Sequence, residues 1–153
     1  MVTWTAFASA APELADAGRS LLTQFGVGLA FLATVRTDGA PRLHPVCPVL
    51  SADRLFVLIT AESPKRGDLL RDGRYALQTF PQPKAGSDEF YMTGRARLAD
   101  DPALRAAILR DAKHMADEAE TAFELLIDRV MHTRWENVLT PDMRSLHEKW
   151  RAP

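Results

Sequence analysis

Apolar residues recur along this chain in two periods, and the change between them divides it into a helical lead and a body of strands. In segment 11–25, Leu14, Ala17, Leu21, Leu22 and Phe25 fall at helical spacing behind Pro12, which suits a first helical position, and Gly26 supplies a stop. Beyond Gly28 the texture changes to short apolar runs. Segments 29–37 and 42–50 flank Asp38-Gly39, the strongest short-range hairpin signal. A third run, 55–60, follows a polar turn at 51–54, so three successive strands form an antiparallel meander. Pro45 and Pro48 cannot donate ladder hydrogen bonds. Their strand therefore belongs at an edge, a bulge, or a rim where a ligand replaces a neighbour.

Two further runs, 75–80 and 89–98, are separated by a loop through Pro81, Pro83 and Gly86. In the second, Phe90, Met92, Gly94 and Ala96 alternate with Tyr91, Thr93, Arg95 and Arg97, the period of a half-buried strand, and Arg95 and Arg97 mark its solvated side. Asp100-Asp101-Pro102 caps a helix over 102–120, with Leu104, Ala107, Ile108, Ala112 and Met115 on one stripe. Segment 123–136 reads two ways. The strand reading is preferred, because 130–135 is rich in strand formers and a sixth strand would complete a small antiparallel barrel. The tail, 140–153, is polar and punctuated by proline. Trp135 and Trp150 are expected to serve packing or dimer contacts.

Length and composition narrow the function classes. A chain of 153 residues fits one domain, 1–153. Apolar content of 46% with 25% charged residues is that of a water-soluble globular chain, and no window approaches the roughly 20 apolar residues of a membrane span. A formal net charge of −1, without a basic run, argues against nucleic-acid binding. The N-terminus lacks a basic stretch followed by an apolar core, so the expected location is cytoplasmic. A lone Cys47 excludes an intramolecular disulfide and a paired-thiolate metal site, and its setting suggests a small buried thiol. His114, His132 and His147 share no metal-ligand spacing. No Ser-His-Asp order, carboxylate pair or glycine-rich nucleotide fingerprint is present, and no catalytic residue is assigned.

The chemistry concentrates in Ile59-Thr60-Ala61-Glu62-Ser63-Pro64-Lys65-Arg66-Gly67-Asp68. A strand ends at Thr60, and hydroxyls and two cations crowd the start of a short helix, where unpaired N–H groups and the dipole favour an anion. This is a phosphate cradle in outline, though solvated helix starts share the pattern. A phosphate monoester recovers its lost hydration only through charge-assisted bonds, and Ser63, Lys65 and Arg42 are donors of that kind.

With the strand order in place, three stretches become recognisable together: 33–42, 55–70 with its Ser-Pro-Lys centre, and 91–96. They resemble the pyridoxamine 5′-phosphate oxidase-like flavin-binding split-barrel family over roughly 25–101 and more loosely around Trp135. The resemblance implies a mainly β, α+β fold: a six-stranded antiparallel split β-barrel with flanking helices. Its parts would be a helix at 11–25, a barrel at 28–98 closed by a strand at 123–136, and an inserted helix at 102–120. It further implies a homodimer holding flavin mononucleotide (FMN) at the subunit interface, and FMN-dependent oxidoreductase activity on a small molecule. By position it places Arg42, His44, Pro45 and Val46 along the cofactor, with Arg42 toward the phosphate. Ile59 and Thr60 would face the ring and ribityl chain, Ser63 and Lys65 the phosphate, and Gln78 the ring from the partner subunit. Pro64 stands where many members carry a second base, for which Arg66 is the substitute. Relatives on the same scaffold use a deazaflavin (F420) or haem, or store or sense flavin without catalysis. The C-terminal arginine and histidine segment of true pyridoxamine phosphate oxidases has only a loose echo in Arg144, His147 and Arg151. His44 fits a structural role bonding a carbonyl as well as a site role.

Overall fold

The computed structural model describes residues 1–82, 84, 86–113 and 117–153. It contains eight strands and four helices: α1 (Trp4–Ala10), α2 (Pro12–Leu22), β1 (Ala30–Val35), β2 (Pro41–Val46), β3 (Val49–Ser51), β4 (Arg54–Ile59), α3 (Pro64–Arg71), β5 (Arg74–Thr79), β6 (Glu89–Leu98), α4 (Pro102–Asp111), β7 (Thr121–Glu136) and β8 (Arg144–Arg151). The strands form one antiparallel sheet in the order β2-β1-β5-β6-β7-β4-β3, with β8 pairing β7 off that path.

The ends of this path, β2 and β3, are joined in the chain by Cys47 and Pro48 alone, so the sheet curls back on itself without a closing ladder. The apolar run 42–50 is thus two strands, and the prolines explain the break, since neither can donate where a continuous strand would need it. The edge position expected for Pro45 is observed. At the seam, a Cβ on Gly28 would lie 1.8 Å from the carbonyl oxygen of Pro48, so only glycine permits this approach. Asp38-Gly39 makes the β1–β2 hairpin as expected, with Gly39 at φ 83° and its N–H donating to Arg36 O at 3.0 Å.

The sixteen-residue β7 completes the sheet differently from the expected closure. One edge pairs with β6. The other is shared in succession by β4 at 121–124, by Val2 through two hydrogen bonds to Ile127, and by β8 at 129–136. The polar, proline-punctuated tail, to which the sequence assigned no element, therefore contains a strand. Its polar character reflects position, since much of β8 is exposed and such a strand shows little apolar alternation.

One core fills the inner face of the sheet, where Leu32, Leu77, Phe90, Met92, Leu125 and Ile127 meet Trp4, Phe7, Leu14 and Leu22 of the helical lead. That lead is two helices rather than one spanning 11–25. α1, capped by Thr3, was not evident from periodicity because seven residues make fewer than two turns, too short for a helical period to show, yet Trp4 and Phe7 are fully buried. Phe7 also meets Trp150 at 5.0 Å between ring centroids, which confirms a packing role for that tryptophan. A smaller cluster under α4 gathers Val49, Phe56, Ile108 and Ala122. α4 is capped by Asp101, as expected, but ends at Asp111 rather than 120; Met115 and His114, like Pro83, lie outside the described residues.

α2 lies close to the sheet at Gly18, where a Cβ would stand 2.4 Å from the Phe90 ring. Gly18→Ala is expected to destabilise the protein by about 1–3 kcal/mol through overpacking, despite the better helix propensity of alanine. Unchanged chemical denaturation of that variant would refute the close approach.

Candidate functional site

α3 begins where β4 ends, and its first turn is electrostatically one-sided. Ser63 is the N-cap residue, yet its hydroxyl makes no capping hydrogen bond, and the first turn carries Lys65 and Arg66 with no acid. Cations at the positive end of a helix dipole are unfavourable unless an anion joins them. Arg66 is committed in part, its Nε donating to Thr121 Oγ1 at 2.7 Å, which ties α3 to the start of β7. Among the described residues Lys65 has no ion-pair partner.

Arg42 reaches the same helix from β2 through a partner that neither motif nor periodicity reveals. Its Nε donates to Asp68 Oδ2 at 2.8 Å, and the same oxygen accepts from Thr34 Oγ1 at 2.9 Å. Arg71 Nη1 lies 3.5 Å from the other oxygen. Burial pushes the Asp68 carboxyl up, but the bonds from Arg42 and Thr34 outweigh it and hold the group below its ordinary value. A buried, ionised aspartate thus fixes Arg42 against α3. Thr34 was the legible signal, because it falls in phase with the buried Ala30 and Leu32, where an unpaired hydroxyl would be costly. Asp68 itself resembled an ordinary solvated helix acid.

The two-residue period of the sheet divides the remaining candidates between faces. Arg42, His44 and Val46 pair with Thr34, Leu32 and Ala30 and share the inner face of β2. Pro45 is in register with Phe31, and Phe31 with Gln78, on the outer face. There Phe31, Ala33, Leu43, Ala76, Gln78 and Tyr91 line a groove of about 320 Å³. Leu43 is 63% exposed, and Phe31 stacks on Phe80 at 4.2 Å. Ile59 is a core side chain, and Thr60 is exposed just before α3. One subunit therefore brings together Arg42, Thr60, Ser63, Lys65 and Arg66 around α3, and leaves Gln78 and Pro45 on another face.

Two sequence expectations change with the structure. Arg97 is not merely solvated, since its Nε donates to Glu124 Oε2 at 2.6 Å, and Arg54 grips both oxygens of that carboxylate at 2.7 and 2.5 Å. Cys47 is half-buried rather than buried; burial, then the charge of Glu120, push its thiol up, away from nucleophilic character. Among the described residues no cluster of three or more His, Cys, Asp and Glu could hold a metal, and no helix is long and apolar enough to cross a membrane.

For Glu124, burial pushes the carboxyl up, and the bonds from Arg54 and Arg97 bring it below its ordinary value. Both buried carboxylates, Asp68 and Glu124, therefore have folded pKa values under the unfolded ones near about 4. Their stabilising contribution is complete above that range and is lost as pH falls through the folded values. Unfolding temperature followed from pH 6 downward is expected to hold level to about pH 4.5 and then decline. A decline beginning well above pH 5 would contradict these assignments.

The strand order and the unclosed seam between β2 and β3 define an open antiparallel barrel of the split type, with a cationic helix start at one end of β4. The sequence profile of the family described as Pyridoxamine 5′-phosphate oxidase matches residues 15–134, and the chain belongs to that family. No curated protein matches the chain. Among solved structures, a protein related to general stress protein 26 (pyridoxinephosphate oxidase family) from Clostridium acetobutylicum superposes with a TM-score of 0.64 at 13% identity, covering 89% of this chain and 93% of that one. The haem storage protein HutZ from Vibrio cholerae gives 0.60 at 15% identity, over 75% and 90%. A haem binding protein from Mycobacterium smegmatis gives 0.60 at 18% identity, over 83% of this chain and 55% of that one, so this chain spans little more than half of that protein's length. At these identities the likeness shows the fold.

Proposed function

We propose that the protein binds FMN between two copies of itself and acts as an oxidoreductase on a small organic molecule. The observation that carries this reading is the first turn of α3: two cations and no acid at the positive end of the helix, beside a serine hydroxyl not spent on capping. That arrangement fits a doubly charged phosphate. Ser63, Lys65 and the backbone of the first turn would hold it. Arg66 and Arg42, each already bonded through Nε, would contribute from their remaining donors. A bound flavin would supply the hydride and electron chemistry; the chain's own task is to hold its phosphate, wall its ring with apolar side chains and exclude water.

The shared site is supported by the division of residues between faces. Gln78 and Pro45 cannot join Arg42 around α3 in one subunit, and the apolar outer face with Leu43, Phe31 and Tyr91 is of the kind a second copy covers. A haem reading is the second one, supported by two structural relatives named for haem and by His44, half-buried on the inner face of β2, which would be the side chain to hold the iron.

The visible absorption spectrum of the purified protein separates them. Flavin bands, or uptake of added FMN with one flavin per chain in a dimer by light scattering, support the proposal. A Soret band, or a monomer that takes up no flavin, rejects it.

A further inference from the structure

We infer that Asp68 is a positioning residue for a phosphate: it holds Arg42 by Nε alone, so that Nη1 and Nη2 stand together as a fork for an outside anion. The inference rests on the phosphate site proposed at the start of α3, and it assigns a residue that touches no ligand itself.

The other arginine–carboxylate pairs of the chain close differently. Arg54 gives Nε and Nη2 to the two oxygens of Glu124 at 2.7 and 2.5 Å, and Arg74 gives the same two nitrogens to Asp72 at 2.6 and 2.7 Å. Arg144 also turns Nε and Nη2 to Glu136, at 2.8 and 2.6 Å. A planar guanidinium meets a carboxylate through two nitrogens when nothing competes for the acid. Arg42 departs from that pattern. Only its Nε meets Asp68, at 2.8 Å, and among the described residues neither Nη1 nor Nη2 has a hydrogen-bond partner.

The cause is the way the Asp68 oxygens are divided. Oδ2 is shared between Arg42 and the Thr34 hydroxyl, which donates at 2.9 Å, while Oδ1 faces Arg71, 3.5 Å from its Nη1. Arg71 is fixed in turn by donating from Nη2 to the carbonyl of Val35. Thr34 of β1 and Arg71 of α3 thus set the rotation of the carboxylate, and its second oxygen is turned away from Arg42. The Asp68 side chain is 5% exposed and that of Arg42 24%, so the open part of the pair is the guanidinium. An arginine held in this way has its direction set before the anion arrives and loses less freedom on binding it. The negative charge of Asp68 also repels a phosphate, but Arg42, Thr34 and Arg71 surround that charge, and the gain in direction outweighs the repulsion.

Dissociation constants for FMN and for riboflavin, which lacks the phosphate, test the inference in the native chain and in Asp68→Asn. The expected result is FMN binding weakened about tenfold in the variant, with riboflavin affinity within a factor of about two of the native value. Asp72→Asn, at the other end of α3, is expected to change neither. A second measurement uses the native chain alone: the Arg42 Nε–H resonance, assigned through bonds by nuclear magnetic resonance, is expected to exchange slowly with water and to stay protected when FMN binds. Unchanged or tighter FMN binding in Asp68→Asn would overturn the inference, as would equal losses for FMN and riboflavin, which would assign Asp68 to the fold. Loss of Nε–H protection on FMN binding would overturn it too, since Arg42 would then leave Asp68 to reach the ligand. If the native chain binds inorganic phosphate and no flavin, the flavin reading fails, while a tenfold loss of phosphate affinity in Asp68→Asn still supports the inference. A native chain that binds neither overturns both.

Discussion

Replacing Lys65 with alanine is expected to weaken FMN retention about tenfold to a hundredfold, and the double variant Ser63→Ala/Lys65→Ala more than either change alone. A hydrogen bond to a charged group contributes about 1.5–3 kcal/mol, which corresponds to that range for one lost phosphate contact. Lys65 is the sharpest probe because it has no other work among the described residues, whereas Arg42 also holds Asp68 and Arg66 also holds Thr121. Removing Arg42 would strip a partner from a buried carboxylate and confuse binding with folding. Lys65 is partly exposed at the start of α3, so its loss should leave the unfolding temperature near that of the parent or slightly higher, since one cation leaves the positive end of the dipole. Flavin fluorescence on dilution reads the affinity, and circular dichroism the fold. Retention within a factor of about two of the parent, in a folded dimer, would remove α3 from the phosphate site.

Glu124→Ala is expected to destabilise the protein by about 3–5 kcal/mol, more than Gly18→Ala or any of the surface changes. Its carboxylate is 1% exposed and joins three strands: Arg54 of β4 holds both oxygens, Arg97 of β6 shares one, and Glu124 itself lies on β7. Arg54 also sits 5.3 Å from the Phe56 ring centroid, which couples the ion group to the cluster under α4. Deleting the acid leaves two guanidiniums facing each other near a buried site, with no remaining counter-charge in the group. Arg97→Ala should cost much less, because Arg97 is half exposed and Arg54 keeps its two bonds. For a chain of this size the Glu124→Ala loss corresponds to a fall of roughly 10 °C in unfolding temperature. A fall of only a degree or two would mean that the triad is ornamental.

The candidate site was legible in unequal measure. Segment 59–68 was legible because a cationic helix start is local: Ser63, Lys65 and Arg66 lie within one turn, and adjacency in sequence becomes adjacency in space. Gln78 and Pro45 were named from a family likeness, and their separation from Arg42 followed only from the register of β2, β1 and β5. Asp68 could not be paired with Arg42 in advance, because positions twenty-six residues apart meet only when β2 lies against β1 and α3 packs on β1.

From the chain alone came the features that depend on neighbours within a few residues: the Asp38-Gly39 hairpin, the Asp101 cap, the alternation through β6, the prolines that place β2 at an edge, and the cationic start of α3. Tertiary structure alone decided the two-helix lead, the strand made from the polar tail, the open rather than closed sheet, the neutralisation of Glu124, and the meeting of Asp68 with Arg42. The physical reason is common to all of these. Periodicity reports which face a residue takes, while the partner it finds on that face is set by strand register and helix docking, to which residues distant in sequence contribute equally.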